Sequence, residues 1–221
     1  MPQADALASA DLGMLPRLPD TAAELRSIAL ALGADPKKAL HLGKDANEHE
    51  VESLDLTNFK VVAFATHGLR PGDLNGLMQP ALALTTPIVA GVHGDGLLTM
   101  DKILTLRLDA DWIVLSACNS GAGLGANAEA ASGLARAFFY AGSRSILVTN
   151  WSVHSASARQ LVSDLFRRQA ADPHISRAEA LRRAMVAMIE TGEYKNDSGI
   201  TLFDYAHPLF WAPYTIIGDG D

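Results

Sequence analysis

Two apolar runs of strand length fix the kind of fold open to this 221-residue chain. Residues 60–66 read Lys-Val-Val-Ala-Phe-Ala-Thr, and residues 111–117 read Asp-Trp-Ile-Val-Leu-Ser-Ala. Neither run alternates apolar with polar residues, so each is expected as a strand buried on both faces. Strands of that kind sit in a mostly parallel sheet with helices on either side.

The surrounding segments supply those helices. Thr21-Ala-Ala-Glu24 has capping-box spacing, and Leu25, Ile28, Ala29 and Leu32 follow on one face before Gly33 stops the helix. Ser176-Arg-Ala-Glu179 repeats the pattern and opens a helix carrying Leu181, Ala184, Met185, Met188 and Ile189 as far as Gly192. Helices are also predicted over 47–54 with Asn47 as cap, from Thr99 to about 106, over 129–141 before Gly142, and over 155–169. Residues 39–42, 145–150 and 210–217 read as strands, and 194–204 as a loop. Between the two long runs, 69–80 has loop composition, and short apolar runs at 81–84 and 88–92 flank Thr85-Thr86-Pro87. The expected architecture is an α/β fold, a three-layer α/β/α sandwich with a mostly parallel central sheet and a small β-rich excursion. Residues 1–19, rich in Ala, Pro and Asp, read as a linker or disordered N-terminus, and residues 20–221 as a single domain.

Charge narrows the function classes. A net charge of −7 argues against a nucleic-acid surface, which is normally basic. No run of about 18 apolar residues provides a spanning helix, and the N-terminus lacks the basic start and apolar core of a signal peptide. Cys118 is the only cysteine, so no internal disulfide is possible, and a reducing cytoplasmic location is expected.

Each long run stops at a reactive side chain, His67 in one case and Cys118 in the other. Open parallel sheets bind ligands outside the carboxyl ends of their strands. A thiol attacks as the thiolate, and an imidazole across the same cleft would take its proton. The backbone amides of Gly68 and Cys118 could hold a developing oxyanion, and glycine at 68 leaves room for a carbonyl to approach. A lone cysteine is also a common core residue, and a strand-end histidine is often structural. Two similar strands ending in these residues, each followed by a glycine-bearing loop, favour the catalytic alternative.

Other motifs carry little. Gly121-Ala-Gly123-Leu-Gly125 lacks the dinucleotide-binding register, and no Gly-Lys-Ser/Thr follows it. Ser120 is not in a nucleophile elbow. No His-x-x-x-His pair exists and a single cysteine cannot build a thiolate zinc site, so neither metal nor cofactor is expected.

An ordered series of short segments resembles the CHAT domain, a caspase-like peptidase domain of the clan shared with caspases and separases. The segments are Phe64-Ala-Thr-His-Gly68, Asp95-Gly-Leu-Leu-Thr99, Leu115-Ser-Ala-Cys-Asn119, Gly133-Leu-Ala-Arg-Ala-Phe138, Ala141-Gly-Ser-Arg-Ser145, Asn150-Trp-Ser-Val153 and His207-Pro-Leu-Phe-Trp-Ala212. Cys118 follows His67 by 51 residues, close to the separation of about 50 in caspases. The resemblance implies a caspase-like fold and a cysteine endopeptidase of the C14-like kind, with His67 and Cys118 as its dyad. It also implies a protein or peptide substrate, a bacterial source, and regulation by a sensor or activating partner. Trp151, Ser152 and His154 would line the substrate groove, with Asp73 and Asp95 as candidate acidic residues near it. His154 stands where the family usually has an acidic residue or Asn, and Asn119 where it often has Glu, which leaves the P1 preference open. The alternative is a catalytically silent signalling or scaffold module that binds a partner through the same groove; a non-peptidase thiol hydrolase is a third.

Overall fold

A computed structural model describes residues 12–116, 126–151, 153–195 and 198–221. Four strands form the central sheet: β1 (Val61–Phe64), β5 (Trp112–Leu115), β6 (Ser145–Thr149) and β9 (Tyr214–Gly218), in the order β1-β5-β6-β9. The first three are parallel and β9 closes the sheet antiparallel to β6. Three long helices flank them: α6 (Ala126–Ala141), α7 (Ser155–Ala171) and α8 (Arg177–Thr191). Helix α1 (Thr21–Ala31) packs beside α7.

Alternation along the strands sorts the core into two faces. Val62, Phe64, Ile113, Leu115, Ile146 and Val148 meet Leu134, Ala137 and Phe138 of α6. On the other face, Val61, Ala63, Trp112, Val114 and Leu147 meet Ile28 of α1, Leu161, Leu165 and Phe166 of α7, and Ala184 of α8. Both faces of β5 are therefore dry, which is why its sequence shows no polar alternation.

The chain between β1 and β5 makes the expected excursion. Strands β2 (Gly68–Leu69), β3 (Ala81–Ala83) and β4 (Leu97–Thr99) form a second, antiparallel sheet. Its own apolar cluster holds Leu69, Leu74, Leu77, Ala81, Ala83 and Leu97. Leu12, ahead of α1, joins that cluster at 6% exposure, with Leu15 packed against it.

Several segments differ from the sequence reading for local reasons. The apolar run at 39–42 is not a strand: Ala39 ends α2 (Pro36–Ala39), a turn of helix started by proline at N1 and by Asp35, whose side chain accepts the Lys37 amide, and residues 40–42 belong to no regular element. Thr86-Pro87 likewise opens α4 (Pro87–Ala90) rather than a strand. Asn47 caps α3 (Glu48–Ser53) and Thr99 caps α5 (Met100–Ile103), both as expected. Residues 194–204 contain a hairpin, β7 (Glu193–Lys195) with β8 (Thr201–Asp204). The run at 210–217 divides into the end of α9 (Pro208–Trp211) and β9. The N-cap of α1 is Asp20, and the Thr21 hydroxyl donates to the Leu18 carbonyl at 2.8 Å instead of capping.

Candidate functional site

Adjacent parallel strands β1 and β5 finish at the same level. Their ladder pairs Val61 with Trp112 and Phe64 with Leu115, and the Ser116 amide donates to the Phe64 carbonyl at 2.9 Å. Ser116 is the last described residue of this segment; Cys118 and its amide lie outside the described residues, as does Ser152.

His67 follows β1 and is partly buried. Its backbone is clamped to the small sheet, the His67 carbonyl accepting the Ala83 amide at 2.9 Å and the Thr66 hydroxyl donating to the Ala83 carbonyl. Gly68 opens β2 opposite Leu82. The His67 Nε2 atom lies 2.7 Å from the Pro16 carbonyl oxygen. A carbonyl can only accept, so Nε2 carries the proton and Nδ1 is the nitrogen able to receive one. Pro16 follows Leu15, which packs against the small-sheet cluster and whose amide donates to the Leu12 carbonyl at 3.1 Å. Sequence reading missed this contact, because a backbone carbonyl has no residue signature.

The remaining predicted residues divide. The Trp151 indole donates to the Leu209 carbonyl at 3.2 Å, fastening the end of β6 to α9. His154 precedes α7, and its ring meets Tyr194, Phe203 and Phe210 edge to face, with centroids 5.1, 5.1 and 6.1 Å away. Its Nδ1 is buried with no hydrogen-bond partner among the described residues. Hairpin β7–β8 and α9 thus build an aromatic cluster around His154, the position where the family usually has an acidic residue or Asn.

Asp73 and Asp95 are both engaged elsewhere. Asp73 pairs with Arg70 at 3.0 Å; burial pushes its carboxyl up, but hydrogen bonds and charge from Arg70 outweigh that and hold it below the usual range. Asp95 accepts Lys102 Nζ at 2.7 Å and the Leu97 amide at 2.8 Å, while Lys102 also reaches Glu48 at 2.6 Å. These pairs tie the turn before β4 to α3 and α5. Among the described residues, neither carboxylate pairs with His67, and no group of three or more His, Cys, Asp or Glu is placed to hold a metal. No helix among them is long and apolar enough to cross a membrane.

Together these features define an α/β domain whose histidine is oriented by a backbone carbonyl at the carboxyl ends of parallel strands. The chain belongs to the CHAT domain family, whose model matches residues 1–219. That family is caspase-like and peptidase-related. No curated protein matches the chain.

Proposed function

We propose that this domain is a cysteine endopeptidase acting through His67 and Cys118. The β1–β5 register carries the reading: every pair in that ladder is offset by 51 residues, the same interval that separates His67 from Cys118. A ladder of that offset is in phase with a histidine and a cysteine at neighbouring strand ends. The Pro16 carbonyl supplies the third group that orients a catalytic base.

His67 Nδ1 takes the proton of the Cys118 thiol, and the thiolate attacks the scissile carbonyl carbon. The amides of Gly68 and Cys118 hold the resulting oxyanion. Collapse breaks the peptide C–N bond, and His67 returns its proton to the departing amine. Water, deprotonated by His67, then hydrolyses the thioester and restores the thiol. The substrate is a protein or peptide whose side chain meets the aromatic wall beside Trp151 and His154. A sensor or activating partner controls access.

The test is alkylation of Cys118 by iodoacetamide together with a peptide-library cleavage screen. His67→Ala should slow alkylation at pH 7 about tenfold, since no imidazole remains to take the thiol proton. It should also lower kcat/KM by roughly 100-fold or more. Equal alkylation of both proteins refutes the dyad. Cleavage that persists in Cys118→Ala refutes the nucleophile. Partner binding with no cleavage under any condition supports the silent scaffold instead.

A further inference from the structure

A groove of about 860 Å³ runs between the turn that follows β2 and helix α6. Arg70, Asp73 and Met78 line it from the turn, Arg136 and Tyr140 from α6, and Met100 from α5. Of the candidate site residues only Asp73 borders it, so it is a surface apart from His67, Trp151 and His154. Its walls are fixed by their own contacts. Asp73 accepts the Arg70 amide at 2.8 Å and the Arg70 guanidinium at 3.0 Å. Gln79 exchanges two hydrogen bonds with Asp101, donating to its carboxylate at 2.8 Å and accepting its amide at 3.1 Å. The Met100 amide donates to the Pro80 carbonyl at 3.1 Å. A Cβ at Gly133 would sit 3.4 Å from both Met100 Sδ and Pro80 Cγ, so α6 closes directly on that corner.

Two features say what fits. Met78 and Tyr140 are 86% and 81% exposed on opposite walls, which leaves the rim of the groove open. A small-ligand site encloses most of its occupant, whereas an open groove edged with Met, Tyr and Arg has the make-up of a protein interface. Met adapts to varied apolar partners, and Tyr and Arg are common anchors. Charge is the second feature. The lining holds two guanidinium groups and one carboxylate, and that carboxylate is engaged by Arg70. This excess of positive charge, in a chain whose net charge is −7, complements an acidic partner. The walls present side chains rather than an open strand edge, so an amphipathic helix, which needs no backbone pairing, is the form that suits them.

We infer that the groove is a docking surface for a helical segment of a partner protein whose apolar face is edged with Glu or Asp. Apolar side chains of the segment enter between Met78, Met100 and Tyr140, and its carboxylates meet Arg136 and Arg70. Such docking serves a peptidase and a silent scaffold equally, so the inference stands apart from the dyad.

The test uses the full chain with its methionine methyl groups labelled with carbon-13. The probes are two libraries of amphipathic helical peptides sharing one Leu, Met and Phe face, flanked by Glu in one library and by Lys in the other. Members of the Glu library should shift the Met78 and Met100 methyl signals and bind about tenfold or more tightly than their Lys counterparts, a gap that narrows as salt is raised. Tyr140→Ala should weaken the best Glu peptide about tenfold. Arg136→Glu should weaken it as much and strengthen its Lys counterpart, a gain that misfolding cannot produce. Both positions are exposed, so thermal midpoints should stay near wild type.

The inference is overturned when no peptide of either library moves Met78 or Met100. Equal binding of the two libraries, or binding that neither variant changes, overturns it as well. Dimerisation of the chain that Tyr140→Ala abolishes would make a second copy the occupant and overturn the acidic helix. None of these readings uses His67 or Cys118, so failure here leaves the dyad untouched.

Discussion

Glutamine in place of Glu24 removes a proton-linked cost that the wild-type fold carries. Glu24 is 5% exposed, and that burial raises its carboxyl from 4.5 to about 7 even though Ser116 draws it down. The unfolded chain therefore releases this proton near pH 4.5, whereas the folded chain keeps it until about pH 7. Within that window the folded state binds more protons, so stability falls as pH rises and levels off above it. At about 1.4 kcal/mol per pH unit, the loss across the window is about 3 kcal/mol. That is a large share of the 5–15 kcal/mol typical of a domain. Glutamine cannot ionise, so the perturbation isolates this one proton.

The assay is urea unfolding of wild type and Glu24→Gln at pH 4.5, 6 and 8. Taking the difference between the two proteins cancels every other titration. Carboxylates that partners hold below their usual range, such as Asp109 beside Lys60 and Arg144, act at the acid end in any case. Glu24→Gln should match wild type at pH 4.5 and exceed it by about 3 kcal/mol at pH 8. A difference that stays constant across the three pH values would refute the idea that the folded state holds this carboxyl protonated.

Two further substitutions probe the scaffold of the site. Gly142, which ends α6, has φ +111°, and a Cβ there would lie 2.3 Å from the Leu108 carbonyl oxygen. Gly142→Ala should cost about 2 kcal/mol or more, read as a drop in thermal midpoint; an unchanged midpoint would mean that the 108–110 segment yields freely. Leu12→Ala should cost about 2–3 kcal/mol, and by loosening Pro16 should shift the His67 Nε2 resonance in nitrogen NMR. An unchanged His67 signal would show that the Pro16 contact does not depend on the Leu12 seat.

The strands that carry the site were legible because burial on both faces leaves an unbroken apolar run, as in β1, β5 and β6. Helices α6, α7 and α8 were legible because one face repeats at helical spacing and a small residue or cap marks the end. Short elements were not. Four-residue apolar stretches do not separate helix from strand, and the deciding signals at α4 were a proline at N1 and Gly91 at φ +73°. The β7–β8 hairpin is a pairing of exposed or half-buried residues, specified by Tyr194 and Phe203 stacking at 4.7 Å rather than by pattern. At the site, His67 was found by its place after a strand, while Pro16 contributes only a backbone oxygen. Glu24 was visible but misread, because a capping acid and a buried acid have the same spacing along the chain.

The β1–β5 ladder also changes what the interval between histidine and cysteine means. The interval of 51 is set by how much chain the small sheet consumes, and a ladder takes no account of chain length outside it. Residues added at the exposed 70–73 turn would renumber the cysteine without moving either strand end. A single residue added within β1 would do the opposite, keeping the motif recognisable while turning the following strand residues to the other face of the sheet. Phase within the strands, rather than distance along the chain, is what a search for such sites should measure.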